Sequence, residues 1–320
     1  MKHIIKIFFS ITVIISTCDL SWAQQYTPRS QGDVNMIRNS TLAVVLETVS
    51  EDVLKKLSSK PDEEKAYRNK TEGYNERIRQ IITAEWSLSA NVSFISHEES
   101  IRLISARDER YCLLDIGSNY AHEEYSPQPM RSSITCMQIR SAAHPFSALL
   151  YCALPDALYN TGELTYCVQQ LKNQVLDYGK GIGSFSKYRK AIKARTPSLK
   201  NKTLLLCTDI TKNAQKVDSS GRLKRIYPYA YEVVNDERLN ELITNKDEHY
   251  AYALTVLNFK TSGGNPLLDY IIVDCKDGHS LFRTTKQGLV LGFVRRHFTM
   301  DHLKLAVRAS KKKIKDSAQL

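Results

Sequence analysis

Three carboxylates stand where an α/β chain is expected to keep its chemistry. Glu47 and Asp209 end two apolar runs, "TLAVVLE" and "TLLLCTD", and Asp115 lies near the end of a third, "YCLLDIG". Ligands of open α/β sheets bind in the crevice outside the carboxyl ends of the strands. A carboxylate there can hold a cation, a sugar hydroxyl or an amine, or act as a general base. Strand ends are also where a chain leaves its core and turns polar. Position and residue type fit either role.

No other constellation carries a recognisable reaction. "GKGIG" (Gly179–Gly183) has the composition of a phosphate loop. Such a loop follows a strand and opens a helix, so that backbone N–H groups and the helix dipole face the anion. These glycines follow a predicted helix and no Lys-Ser/Thr closes them, so a helix cap and connector is expected. The eight histidines form no H-x-x-x-H or H-E-x-x-H pair, and no C-x-x-C occurs, so neither a zinc site nor a thioredoxin-type centre is predicted. There is no G-x-S-x-G nucleophile elbow. No metal and no organic cofactor is expected. The stretch Lys187, Arg189, Lys190, Lys193, Arg195, Lys200, Lys202, with Phe185 and Tyr188 interleaved, has the residue types that neutralise a polyanion and stack on its bases. The same two aromatics are also the buried stripe of an ordinary helix, which is the expectation here.

The elements that would position the carboxylates follow from periodicity. Continuous apolar runs of strand length suit strands covered by helices on both faces, and Thr41–Leu46 is one. Ser50 caps a short helix to Leu57. A longer helix opens at Pro61-Asp62 and ends near Trp86, with Tyr67, Thr71, Tyr74, Ile78, Ile81 and Trp86 along one stripe. Val92–Ile95 is a second strand, Ser96 caps a helix from His97 to about Ser105, and Tyr111–Ile116 is a third strand. "SSITCMQI" and "SALLYCAL" finish this half as an antiparallel pair turning near Ala143–Pro145. "ELTYCVQQLKNQVLDYG" is a helix with Leu164, Cys167, Val168, Leu171, Val175 and Tyr178 inward and Gly179 at its C-cap. Ser184–Arg195 is a more basic helix, stopped by Thr196-Pro197. Tyr250–Phe259, "LLDYIIVDC" and "HSLFRT" are later strands, the last two joined by "KDG". A basic amphipathic helix starts near Met300.

The second half repeats the first. At one offset of 139, "RDERY" (Arg107–Tyr111) meets "KDEHY" (Lys246–Tyr250), and Glu98 meets Glu237. Leu103-Ile104 meet Leu242-Ile243, and the helix N-caps Ser96 and Asn235 coincide. "NSTLAVVLE" from Asn39 meets "NKTLLLCTD" from Asn201 at an offset of 162, the long helix of the first half making the difference. Agreement of this kind in the same structural role marks a duplicated unit. The predicted fold is α/β, with two related units in tandem, each a mixed β-sheet flanked by helices. They cover 39–160 and 201–298, with a helical connector at 161–200 and a basic C-terminal helix at 299–320. The repeated Asp108-Glu109 and Asp247-Glu248 pairs fall in turns before strands. Ligand sites of this architecture sit at the other end, so a structural role is expected for both pairs.

The amino terminus bears on location. Lys2 and Lys6 flank the start of an apolar run, Ile7–Ile15, and Ser21-Trp22-Ala23 supplies small residues at −3 and −1 of a cleavage site. A run this short predicts a signal peptide over 1–23, not a membrane span. Ile15-Ser16-Thr17-Cys18 loosely matches a lipobox, which would anchor the chain through a lipid on Cys18 instead. The mature chain is expected to be periplasmic or extracellular, to open with a flexible lead-in (24–38), and to have no transmembrane segment. Its cysteines, 112, 136, 152, 167, 207 and 275, sit in buried-strand contexts or on an apolar helix face. They are expected to be reduced and packed as small hydrophobes, although an oxidising compartment permits bridges. The net charge of +11 permits attraction to anionic surfaces without requiring it.

The strand-helix-strand-helix-strand order followed by an antiparallel pair resembles the amino-terminal domains of TolB-like envelope proteins. The expected function is an exported cell-envelope or secreted binding or scaffold protein, its partner a protein or another envelope component. Export makes nucleic acid an unexpected partner. The alternative is a small-ligand-binding protein or carboxylate-dependent hydrolase built on Glu47, Asp115 and Asp209.

Overall fold

A computed structural model describes residues 28–120, 133–155, 160–207, 221–258, 267–287 and 298–311. The first unit runs α1 (Gln31–Asn39), β1 (Thr41–Val45), α2 (Glu51–Leu57), α3 (Pro61–Glu85), β2 (Asn91–Ile95), α4 (His97–Ser105), β3 (Tyr111–Tyr120), β4 (Ser133–Ser141) and β5 (Ala148–Ala153). Next come α5 (Thr161–Gly179), α6 (Phe185–Arg195) and a 3-10 turn (Thr196–Asn201). The second unit runs β6 (Thr203–Cys207), α7 (Arg222–Ile226), β7 (Tyr231–Val234), α8 (Asp236–Thr244), β8 (Tyr250–Asn258), β9 (Leu267–Asp274), β10 (Ser280–Gln287) and α9 (Met300–Lys311). The proposed cleavage site, Cys18 and Asp209 lie outside the described residues.

The strands form two mixed five-stranded sheets, ordered β2-β1-β3-β4-β5 and β7-β6-β8-β9-β10. The path is the same in both: three parallel strands, then two antiparallel ones. The α/β fold with two similar units in tandem is therefore as the repeat predicts. Register carries the equivalence further than the sequence match does. Leu113, Asp115 and Gly117 face Arg140, Gln138 and Cys136 across β3–β4, where Tyr252, Leu254 and Val256 face Val273, Ile271 and Asp269 across β8–β9.

The repeated "RDERY/KDEHY" motif is a helix stop followed by a turn. Among the described residues, Arg107 and Lys246 are the non-glycine residues at positive φ, 48° and 54°. Each occupies the left-handed position just past its helix. The Asp108 N–H donates to the Leu103 carbonyl and the Asp247 N–H to Leu242, closing the same six-residue loop. Each aspartate then turns the chain: Asp108 Oδ1 accepts from the Arg110 N–H, and Asp247 Oδ1 from the His249 N–H. Tyr111 and Tyr250 open their strands directly afterwards.

Three local expectations change. Gln31–Asn39, predicted to be part of an extended lead-in, is helical: Ser30 and Asp33 form a capping box, and Val34 and Ile37 are fully buried. β3 runs four residues past Ile116, because β4 pairs with it as far as Tyr120–Ser133. β7 is a strand too short to stand out in the sequence, held by parallel pairing to β6.

α5 is the centre of the molecule. Of its 19 residues 14 are buried, too many for a helix with one wet face. A single core joins Val34 of α1, Ile78 of α3, Leu171 of α5 and Leu242 of α8 to the inner faces of both sheets. A second core, including Leu204, Leu206 and Ile272, fills the far face of the second sheet beneath α7, α9 and the 3-10 turn. The far face of the first sheet has a core of four buried residues, Ala43, Ile95, Leu113 and Ala142, backed by Leu103 and Ile104 of α4. The layers are thus α4, first sheet, shared helices, second sheet, and the α7–α9 layer. The six described cysteines are buried and not joined in disulfides. Burial pushes Cys112 up to about 11 and Cys275 to about 12, so both stay protonated and unreactive near neutral pH.

Candidate functional site

Glu47 lies just past the end of β1, as predicted, with its side chain exposed. Asn75 of α3 clamps its backbone: the Glu47 N–H donates to Oδ1 and Nδ2 donates to the Glu47 carbonyl, both at 2.9 Å. Asp115 does not end its strand. With β3 prolonged it stands in mid-sheet, where its Oδ2 pairs with Nη2 of Arg140 on β4. Arg140 also donates Nη1 to the Pro145 carbonyl at 3.0 Å. Asp115 Oδ1 and Arg140 Nε are buried without hydrogen-bond partners. Asp209 lies outside the described residues. Among the described residues, no group of three His, Cys, Asp or Glu side chains is placed to hold a metal ion.

Asp115 belongs to a difference between the two sheets. In the second sheet Leu254, Val256, Ile271 and Val273 are buried in the shared core. Their register equivalents in the first sheet are Asp115, Gly117, Gln138 and Arg140. Gln138 lies over Gly117 so closely that a methyl there would collide with its amide. The Asp115 and Arg140 side chains keep 16% and 22% of their exposure, too much for core residues. A face that is oily in one unit is polar in the other.

A second polar cluster forms where α5 meets the second unit. The β9–β10 turn lies along a stripe of α5: Gln170 donates to the Gly278 carbonyl, and Asn173 to that of Asp277 at 2.8 Å. Gly278 has φ 74°, and a Cβ on it would sit 2.5 Å from Gln169 Oε1, so glycine is required twice over. Behind the turn, His279 Nδ1 lies 3.1 Å from Asp277 Oδ1 and Nε2 lies 3.5 Å from Asp177 Oδ1. Both are ion-pair distances without hydrogen-bond alignment. Arg195 of α6 reaches Asp177 at 3.4 Å, and the Tyr188 and Ser280 hydroxyls are 3.2 Å apart.

Burial pushes the His279 pKa down, but Asp177 and Asp277 outweigh it and the net shift is upward. Burial raises both carboxylates, and His279 with Arg195 more than reverses this, holding Asp177 below the usual range and Asp277 at about 2. The cleft these groups line measures about 250 Å³ with its open mouth, below the size of ordinary ligand pockets. Both imidazole nitrogens face carboxylates, so the ring is committed to an ionic contact and not poised as a base. Alongside, Glu85 of α3, nearly fully buried, meets Lys246 of the second unit at 2.9 Å and Lys172 of α5 at 3.7 Å. These groups fasten the two units together. The sequence carried a sign of them in Gln169, Gln170, Asn173, Gln174 and Asp177, polar residues at helical spacing that resemble a solvated face.

Comparison with known proteins finds no family model, no curated protein and no solved structure that matches the chain. The class that the fold defines is architectural: a duplicated α/β protein whose two mixed sheets share one helical layer. The likeness to TolB-like domains rests on the order of elements alone. No helix among the described residues is long and apolar enough to cross a membrane.

Proposed function

We propose that the protein is an exported binding or scaffold protein of the cell envelope, and that it presents the outer face of its first sheet to a partner. The observation that carries this reading is the polar exchange at equivalent positions. Asp115, Gly117, Gln138 and Arg140 stand where the second unit has Leu254, Val256, Ile271 and Val273. Charged side chains that keep 16% and 22% of their exposure on this face suit a polar partner surface better than a packed helix. The alternative, a small-ligand site or hydrolase at Glu47, Asp115 and Asp209, is less favoured because Asp115 is engaged by Arg140. A photo-crosslinking residue at Gln138, in protein expressed in its native cells, tests the proposal. One stoichiometric product is expected, lost on Asp115→Arg and not seen from Lys65 on α3. Products of equal yield from both positions, or none from Gln138 in folded protein, overturn it.

A further inference from the structure

The two halves of the chain differ in charge. Residues 161–320 hold 28 Lys and Arg against 15 Asp and Glu, whereas residues 39–160 hold 13 against 17. The fold gathers much of the excess into one surface. α9 packs beside both α7 and the 3-10 turn, and the turn packs against α6. Over the second core these elements send Leu199, Leu223, Leu303 and Val307 inward. Their cations are left outside: Lys200, Lys224, Arg225, Lys304, Arg308 and Lys311 are all exposed. α6 extends the surface with Lys190 and Lys193. Asp301 is the single acidic residue in the four elements, 3.2 Å from Lys304. Among the described residues, the helices of the first unit carry both signs. On its long helix, acids and bases alternate and pair, as in Lys60–Glu63 and Arg68–Glu64.

We propose that this layer docks the protein on an anionic lipid bilayer, with the headgroup phosphates as its ligand. The cations sit on neighbouring helices over a broad layer, with the half-buried Ile226, Leu305 and Ala309 among them. Such a surface meets a plane of phosphates at many points at once. A single-stranded polyanion is gripped instead in a groove lined with stacking aromatics. Here Tyr227 is buried, and the Tyr229 hydroxyl is engaged by Ser310 at 2.7 Å. Attraction of this kind grows with each Lys or Arg near the surface and fades within a screening length. The proposal stands apart from the partner face, which lies on the opposite outer layer.

The test is co-sedimentation of the mature chain with vesicles of phosphatidylcholine alone, or with about one-third phosphatidylglycerol. We expect retention on the anionic vesicles to exceed the neutral ones by about tenfold or more, and to fall steeply with added salt. The triple variant Lys224→Glu/Lys304→Glu/Arg308→Glu should lose that excess, while Lys65→Glu/Lys70→Glu on α3 should keep it. Should the triple variant fail to fold, Lys224→Gln and Lys311→Gln, both at exposed positions, are each expected to lower retention about twofold. Equal retention on both vesicle types, or undiminished retention of folded variants, overturns the proposal. So does capture of a DNA or RNA oligonucleotide at a salt concentration that strips the vesicles. Crosslinking from Gln138 should persist in the charge-reversed variants, so failure here and failure of the partner face remain distinguishable.

Discussion

The two sheets share a path and a register, yet equivalent positions on β3–β4 and β8–β9 carry opposite chemistry. On the second sheet Leu254 and Val273 face α5 and α8; on the first, Asp115 and Arg140 face a thin layer under α4. One difference in neighbours accounts for this. A sheet face under a helix must be apolar to recover the free energy of dehydration, whereas a face left half-wet gains nothing from apolar side chains and becomes adhesive if it keeps them. The two units are one scaffold laid out twice, and the unit whose face meets α5 and α8 has the oily interior on that side.

The comparison breaks most readily from the buried side. Leu254→Asp places an unpaired carboxylate beneath α5 and should cost more than about 4 kcal/mol, removing the cooperative transition in urea. A near wild-type midpoint would mean that α5 does not seal this face. Asp177→Ala, which removes the carboxylate facing Arg195 and one of the two facing His279, should cost about 3 kcal/mol by the same measurement. Its pH dependence has a definite sign. His279 is raised above its ordinary 6.5, so its stabilisation is complete below that value and is lost as the pH climbs through the folded pKa. Asp177 and Asp277 are lowered from 3.8, Asp277 to about 2, so theirs is complete above 3.8 and lost in acid. Stability from this cluster should therefore peak between the two ordinary values, and a series of melts on Asp177→Ala should show a lower peak, the remainder being held by Asp277 against His279.

The wet side should respond differently. Asp115→Leu/Arg140→Val gives the first sheet the chemistry of the second. Because a paired charge is exchanged for packing, unfolding free energy should stay level or rise by about 1 kcal/mol. The cost should appear as concentration-dependent self-association in sedimentation velocity; a strictly monomeric double variant would contradict the account. The smallest effect concerns the left-handed residues. Arg107→Gly should stabilise by about 0.5 to 1 kcal/mol through relief of its positive φ. Lys246→Gly should show less gain or a net loss, because its side chain also holds Glu85. Equal gains at both positions would remove Glu85 from the junction.

Much of the fold is legible in the sequence because its signals are local. A left-handed helix stop followed by an aspartate turn needs a particular short pattern, and two copies at one offset betray the duplication. α1 escapes because only Val34, Met36 and Ile37 are apolar in a polar stretch, although its Ser30/Asp33 capping box is present. The site is less legible because it depends on partners distant in the chain. Asp115 reads as a strand-end carboxylate until β4 brings Arg140 alongside. The polar stripe of α5 reads as solvated until the β9–β10 turn lies against it. Periodicity reveals that a helix has two faces, but not that both are indoors.

The layered stack has one more consequence. With a unit of nearly balanced charge at one end and its basic layer at the other, the described part of the molecule carries an electric moment along the stacking axis. Near a negatively charged boundary it experiences a torque before any atoms touch, over a range of about 10 Å at roughly 0.1 M salt. On the proposed bilayer this torque favours an approach with α9 leading and the polar face of the first sheet turned outward. The order of the two units would thus set the orientation of the proposed encounter.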